Sequence, residues 1–171
     1  MKTINQFLQE ISKPFILYCD MDGVLTDFEG AVEDFGRGTF KQIADREEES
    51  WIWAKISKIG YRFWRDMNWI ANGKELWNEI KIYQPIILTA VPRSGFQNCK
   101  IGKNIWIDKN LGKDVKREIV FRKDKQNFAN SKSILIDDMK KNIDEWRTAS
   151  GIGILHISNE KTLRKLKILI S

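Results

Sequence analysis

Short apolar runs separated by amphipathic segments constrain the fold of this chain more than any other feature. Four of these runs are bounded by polar or glycine-containing stretches, and a weaker fifth candidate is 118–121. The four clearer runs are 15–19, 85–88, 133–136 and 152–156. Strands that are buried on both faces of a parallel sheet need no polar alternation. The runs therefore predict the strands of a central parallel sheet.

Segments with helical spacing lie between these runs, at 73–82, 98–111 and 140–149. In the second segment Ile101, Ile105 and Leu111 fall along one apolar stripe. The last segment, 161–170, fits either a helix or a strand. Strands that alternate with helices indicate right-handed βαβ units, so the predicted fold class is α/β.

The stretch 27–81 departs from this alternation. It is rich in charged and aromatic residues and has helical spacing, but it contains no clear strand. More than fifty residues is too long for a simple crossover between two strands. We expect a small, mostly helical cap at 27–81, inserted into an α/β core made of 1–26 and 82–171. We expect Trp51, Trp53 and Trp77 to belong to the core of the cap.

Composition limits the class of protein. A chain of 171 residues fits one domain with a modest insertion. Only two cysteines are present, residues 1–14 lack the apolar core of a secretory signal, and no apolar run approaches the ~20 residues that span a bilayer. We expect a cytoplasmic protein without a membrane segment. The net charge of +6 is spread along the chain, which favours an ordinary solvated surface over a nucleic-acid site.

Oxygen-bearing side chains follow three of the predicted strands. Asp20 and Asp22 follow the first strand, Thr89 follows the second, and Asp137 and Asp138 follow the third. In an open α/β sheet, ligands bind at the carboxyl ends of the strands. Carboxylates that meet there repel one another unless a cation neutralises them, and an all-oxygen set suits Mg²⁺.

Each of these features alone also has a purely structural explanation. Gly23 after two carboxylates is typical of a turn, the pair 137–138 can cap a helix, and Thr89 favours strands. Their coincidence at three strand ends favours a functional site. Cys19 alternates with Asp20 along its strand and should point away from that site, so a cysteine nucleophile is disfavoured.

Residues 20–27, 87–90 and 134–138 resemble motifs I, II and IV of the haloacid dehalogenase (HAD) superfamily. The resemblance extends over about 15–156 and implies a Rossmann-like core with a parallel sheet flanked by helices. It implies that Asp20 is a nucleophile that forms an aspartyl-phosphate, and that Asp22 is the general acid and base.

The resemblance also implies ligands for Mg²⁺ and for phosphate. The metal ligands would be Asp20, the main-chain carbonyl of Asp22 and Asp137, with Asp138 as a further ligand or a neighbour of one. Phosphate would be held by Thr89 and by backbone N–H groups near Gly23 and Ala90.

Motif III of this superfamily supplies a lysine, and three lysines are candidates. They are Lys123, Lys125 and Lys132. We choose Lys125, because it would follow the strand 118–121 at the same sheet edge and because an Asp-Lys pair often stands there in the nucleotidase branch. Lys132 would lie at the opposite end of its strand, about 15 Å away.

Within the superfamily, the chain resembles the small 5′-nucleotidase and 5′(3′)-deoxyribonucleotidase group and related phage-type phosphatases. The resemblance includes Asp27, Phe28, 63–64, 102–106 and 124–125, with Asn142 and Trp146 after motif IV. It implies a small nucleotide substrate whose base stacks on cap aromatics.

Phe28, Phe63, Trp64 and Trp69 are the aromatic residues that would form this substrate pocket, although the same rings can equally form the core of the cap. Arg93, just beyond the second strand, can reach a substrate or lie on the surface.

Three further readings stay open beside the nucleotidase. One is a 3′-phosphatase acting on nucleic-acid ends, which the positive charge would suit. Another is a phosphatase of some other small metabolite. The last is a catalytically idle binding module, which the intact Asp20 and Asp22 disfavour. The sequence leaves the oligomeric state undetermined.

Overall fold

A computed structural model of the protein describes residues 15–46 and 48–170. Within these residues, five strands form one parallel sheet in the spatial order β3-β2-β1-β4-β5. The strands are β1 (Ile16–Cys19), β2 (Ile86–Val91), β3 (Arg117–Phe121), β4 (Ser133–Asp137) and β5 (Ile152–Leu155). The α/β class and the parallel sheet are confirmed, and the weakest predicted strand is β3.

Helices make up most of the connection between β1 and β2. They are α1 (Phe28–Glu33), α2 (Phe40–Ala44), α3 (Glu49–Ile59), α4 (Tyr61–Arg65) and α5 (Gly73–Ile80), followed by a 3₁₀ turn at Lys81–Tyr83. The parts of this connection that the structure describes, 28–46 and 48–83, contain no strand of the sheet. Its helical character is confirmed, whereas its status as a separate cap domain stays a prediction.

The remaining helices flank the sheet. They are α6 (Phe96–Asn110), a 3₁₀ segment (Arg122–Phe128), α7 (Lys140–Thr148) and α8 (Asn159–Ile170). The last segment is therefore a helix, a point that its periodicity had left open. None of the described helices is long and apolar enough to cross a bilayer. Residues 1–14, which we assigned to the core, lie outside the described residues.

The two faces of the sheet are buried against different helices. Leu17 and Cys19 of β1 join the larger apolar cluster, which also contains buried residues of α3 to α6. Tyr18 points to the other face, where its ring contacts Trp146 of α7 edge-on at 5.3 Å. Because both faces are covered, successive strand residues are all apolar.

The large cluster runs without a break from the sheet into the helices between β1 and β2. Trp77 is buried in it as predicted, whereas Trp51 and Trp53 are half-buried against its edge. The helical connection therefore shares one core with the sheet.

Helix α6 presents a different face to the core from the one that its isoleucines suggest. Ile101 and Ile105 are 47% and 38% exposed, so the predicted apolar stripe is wrong. The buried face instead contains Gly102 and Trp106. At Gly102 a Cβ atom would lie 2.3 Å from the carbonyl oxygen of Tyr61, so only glycine allows α6 to approach α4 this closely. The helix is turned toward α4 by this contact, which a one-helix pattern cannot show.

This contact predicts that two neighbouring substitutions change the free energy of unfolding by very different amounts. Gly102→Ala should destabilise the protein by about 1–3 kcal/mol, because backbone atoms of α4 must shift. Ile101→Ala should change the free energy of unfolding by only about 0.5 kcal/mol. Urea unfolding of both variants measures this difference. A larger loss for Ile101→Ala would contradict the packing described here.

Candidate active site

Three carboxylates meet at the carboxyl ends of β1 and β4. Asp20 directly follows β1, Asp137 is the last residue of β4, and Asp138 follows it. One oxygen from each lies within 4.8 Å of the others. Asp20 and Asp137 are buried and Asp138 is exposed. The structure thus brings together the acidic residues that the sequence placed at separate strand ends.

Burial and crowding raise the pKa values of two of these carboxyl groups, Asp20 and Asp138. Burial and the charge of Asp137 raise the pKa of Asp20 to about 6, although Lys125 opposes the shift. Desolvation and the charges of Asp20 and Asp137 raise the pKa of Asp138 to about 7. An all-oxygen cluster with excess negative charge fits a hard divalent cation such as Mg²⁺.

Lys125 is the lysine that contacts this cluster. Its Nζ lies 2.9 Å from Asp20 Oδ1 and 2.8 Å from Asp137 Oδ2. Burial lowers the pKa of Lys125, but the charges of Asp20 and Asp137 outweigh this and raise it above its usual value. Lys123 and Lys132 are exposed, and Lys132 lies at the amino end of β4, where its carbonyl accepts the Ile16 N–H. The geometry singles out Lys125 among the three candidates.

Asp137 is fixed by donors from several segments. Asn142 of α7 donates to both of its carboxylate oxygens at 3.0 Å, and the Met139 N–H donates to Oδ1 at 2.9 Å. Arg122 in turn donates to Asn142 Oδ1 at 3.0 Å. With Lys125 also bound, Asp137 is held rigidly beside Asp20.

Asp22 lies on the other side of the same loop. Its Oδ1 accepts a hydrogen bond from the Thr26 hydroxyl at 3.0 Å, and its Oδ2 lies 2.6 Å from Lys103 Nζ. Its carboxylate is not part of the three-carboxylate group that the described residues form. The predicted metal contact of Asp22 was through its main-chain carbonyl, and it stays a prediction.

Gly23 is required by its conformation and by the space beside it. Its φ is +78°, and a Cβ atom would lie 2.2 Å from Asp138 Oδ2. Its own N–H donates to the Thr26 carbonyl within the turn, which differs from the predicted contact of this region with phosphate. The observed role of Gly23 is to let the Asp138 carboxylate approach the loop.

Lys103 of α6 is the site residue that sequence reasoning missed. Its side chain is fully buried, and its Nζ donates to Asp22 Oδ2 at 2.6 Å, Thr89 Oγ1 at 2.7 Å and the Ala90 carbonyl at 2.7 Å. Burial lowers the pKa of Lys103, but the neighbouring negative charges, of which Asp22 is the strongest, and the hydrogen bond to Asp22 together outweigh it and raise the pKa. The spacing of Cys99, Gly102 and Trp106 marks the buried face, and it could have located this lysine.

Thr89 and Ala90 lie inside β2, which continues to Val91 and is longer than predicted. Thr89 is fully buried, and its hydroxyl accepts the Lys103 bond. Arg93 lies in the bend after β2 and is exposed. The roles of all three in binding a substrate stay predictions.

The aromatic residues predicted for a substrate pocket pack on one another. Phe63 and Trp64 are 7% and 3% exposed, whereas Phe28 is half-buried. The rings of Phe28 and Trp64 are nearly parallel, at 18° and 5.9 Å, and the Trp64 ring lies 5.2 Å from Lys103 Nζ. Trp69 packs on Trp106 at 4.9 Å. Phe63 and Trp64 belong to the core, Phe28 and Trp69 pack against its edge, and Trp64 adjoins the site through Lys103.

Comparison with known proteins identifies this arrangement as that of a nucleotide-hydrolysing phosphatase of the HAD superfamily. A family model described as "5' nucleotidase, deoxy (Pyrimidine), cytosolic type C protein" matches residues 14–165. The chain belongs to this family and is therefore an enzyme that hydrolyses phosphoric monoesters of nucleotides. The family generally uses a divalent metal, which agrees with the acidic cluster.

Two curated relatives are similar over most of the chain. Both are named "Putative 5'(3')-deoxyribonucleotidase" and come from Bordetella pertussis and Bordetella bronchiseptica. Each is 25% identical over 138 residues, which covers 72% of this chain and 73% of the relative. The solved structure of a hydrolase from Streptococcus pneumoniae TIGR4 is 13% identical and covers 92% of this chain and 98% of that one, with a TM-score of 0.46. That likeness is too low to support a conclusion.

The raised carboxyl pKa values predict how pH and metal affect stability. Because the folded state binds protons more tightly than the unfolded chain, the metal-free protein should lose stability as pH rises from about 4 to 7. Mg²⁺ should restore stability more at pH 8 than at pH 5, since it competes with those protons. Thermal unfolding in EDTA and in Mg²⁺ at both pH values measures the effect.

Asp20→Asn should weaken the dependence of stability on pH and on Mg²⁺, because it removes one of the crowded charges. Asp144→Asn, which changes an exposed carboxylate paired with Lys140, should leave both as they are. Equal stabilisation by Mg²⁺ at the two pH values would contradict the proton-linked cluster.

Proposed function

We propose that this nucleotidase is a Mg²⁺-dependent phosphomonoesterase that acts on nucleoside 5′-monophosphates or deoxynucleotides through an aspartyl-phosphate on Asp20. The observation that carries the proposal is the buried Asp20 carboxylate, held by Lys125 beside Asp137 and Asp138. A carboxylate that attacks a phosphate ester must overcome charge repulsion, and a fixed cationic group beside it offsets that repulsion.

Asp20 is the nucleophile in this mechanism. The Met21 N–H at 2.8 Å and Lys125 Nζ at 2.9 Å both bind its Oδ1, so we assign the attack to Oδ2. A bond forms between Oδ2 and phosphorus as the ester P–O bond breaks, and Asp22 gives a proton to the leaving alcohol oxygen. Water then attacks the aspartyl-phosphate, Asp22 accepts its proton, and inorganic phosphate leaves.

The metal site in the proposal consists of Asp20, the Asp22 carbonyl, Asp137 and Asp138. A bound Mg²⁺ would supply positive charge that offsets the negative charge of the transferring phosphoryl group.

Thr89 suits phosphate binding because of its bond to Lys103. An ammonium group has no lone pair, so the Thr89 hydroxyl must accept that hydrogen bond and keeps its own hydrogen for another acceptor. We assign that hydrogen to a phosphate oxygen, together with backbone N–H groups near Ala90.

The names of the relatives and of the family favour a nucleotide with a deoxyribose sugar. We assign the base contact to Phe28, since it is less buried than Phe63 and Trp64, whose rings contact it. Stacking of one base on such a ring contributes about 1–3 kcal/mol. Arg93, exposed after β2, is a second candidate contact.

A phosphate-release assay tests this proposal. The panel contains pyrimidine and purine 5′- and 3′-monophosphates with either sugar, a sugar phosphate and a 3′-phosphorylated oligonucleotide. We expect Mg²⁺-dependent release from mononucleotides, with little effect of added salt. Asp20→Asn should lower kcat by at least about 10³-fold, whereas Asp144→Asn should retain activity.

Other outcomes would contradict the proposed mechanism or the proposed substrate class. Undiminished turnover by Asp20→Asn would eliminate the covalent mechanism. Fast release from the oligonucleotide that weakens steeply with salt would favour nucleic-acid ends instead. Release from the sugar phosphate alone would remove the nucleotide from the proposal.

A further inference from the structure

Lys103 is a buried cation that the mechanism above uses only to fix the hydrogen bond that Thr89 accepts. Its side chain is 0% exposed, whereas a lysine is almost never fully buried without a partner. Its ammonium group has three hydrogens, and three acceptors surround it: Asp22 Oδ2, Thr89 Oγ1 and the Ala90 carbonyl. All of its donors are thus used within the protein, so it has none left for a substrate.

The Asp22 carboxylate accepts a hydrogen bond on each of its two oxygens, and Lys103 donates one of them. Lys103 holds Oδ2 at 2.6 Å, and the Thr26 hydroxyl holds Oδ1 at 3.0 Å. These two bonds fix the direction of the carboxylate, which is otherwise free to rotate on a side chain that is about a quarter exposed (27%). Proton transfer to a leaving group requires this kind of fixed geometry.

The other two bonds of Lys103 connect the same carboxylate to β2. Thr89 and Ala90 belong to the strand to which we assign phosphate binding, and Asp22 belongs to the loop after β1. Lys103 therefore sets the distance between the proposed acid and the proposed phosphate site. The close packing of α6 on α4 at Gly102 brings this lysine to the sheet edge.

We propose that Lys103 is a positioning residue that holds the Asp22 carboxylate in place to protonate the leaving oxygen. This inference rests on the proposed function. It assigns to Lys103 an effect that depends on the leaving group. A nucleoside leaves as a poorly stabilised alkoxide and needs the proton, whereas p-nitrophenolate leaves without one.

The test compares kcat/KM for a deoxynucleoside 5′-monophosphate and for p-nitrophenyl phosphate. For each ester, kcat/KM reports the steps up to the departure of the leaving group and excludes hydrolysis of the aspartyl-phosphate. Lys103→Met should lower kcat/KM at least about 100-fold for the nucleotide, but less than about 10-fold for p-nitrophenyl phosphate. The part of the loss that is particular to the nucleotide should be in kcat, because loss of the bond to Thr89 affects phosphate binding for both esters alike.

Three further variants keep the test decisive. Lys103→Gln retains an uncharged N–H donor group, so it should show an intermediate loss, and it carries the comparison if Lys103→Met does not fold. In an Asp22→Asn background, Lys103→Met should add little to the nucleotide loss, because a residue that acts through Asp22 has nothing left to position. Lys100→Met, at an exposed position on the same helix, is the matched control and should behave like the wild type.

Equal losses on both esters in a folded variant would overturn the inference, and so would full additivity with Asp22→Asn. Those results would leave the proposed function intact, provided that the wild type hydrolyses both esters with Mg²⁺ and Asp20→Asn does not. A wild type without activity on either ester would overturn the proposed function and this inference together.

Discussion

The compensation of charge at the carboxyl edge of the sheet is the interaction on which the rest of this structure depends. Burial and the repulsion of neighbouring carboxylates raise the pKa values of Asp20 and Asp138, and two lysines that are almost completely buried, Lys103 and Lys125, offset part of that repulsion. A buried lysine is costly unless it is paired and hydrogen-bonded. Loss of either partner, the lysine or the carboxylate, would therefore leave an uncompensated buried charge. The elements that carry these lysines must therefore pack where they do.

The two cations serve different parts of the same loop. Asp20 is bound by Lys125, which comes from the 3₁₀ segment after β3, whereas Asp22 is bound by Lys103, which comes from α6. The two carboxylates are only two residues apart in sequence, yet their partners hold them in separate surroundings.

The helical connection between β1 and β2 takes part in this arrangement through α4. Gly102 allows α6 to contact the backbone of α4, and the ring of Trp64 on α4 lies over Lys103 Nζ. The aromatic cluster of the connection is thus continuous with the side chains that hold Asp22. A substitution of Trp64 would therefore change a direct contact of Lys103, although most rings of the cluster are buried away from the site.

The sequence by itself determined the parallel sheet and its strand-end carboxylates, because each depends on a local signal: an apolar run and the residue that ends it. The choice of Lys125 among three lysines also needed the family resemblance. Ile101 and Ile105 gave a misleading stripe on α6, and Lys103 looked like any other surface lysine. Only the tertiary structure decided these points. The buried face of α6 depends on its contact with Tyr61 of α4, and Lys103 finds one of its acceptors, Asp22, 81 residues away. A buried charge can be recognised only when its distant partners are in place, since burial without them would cost too much.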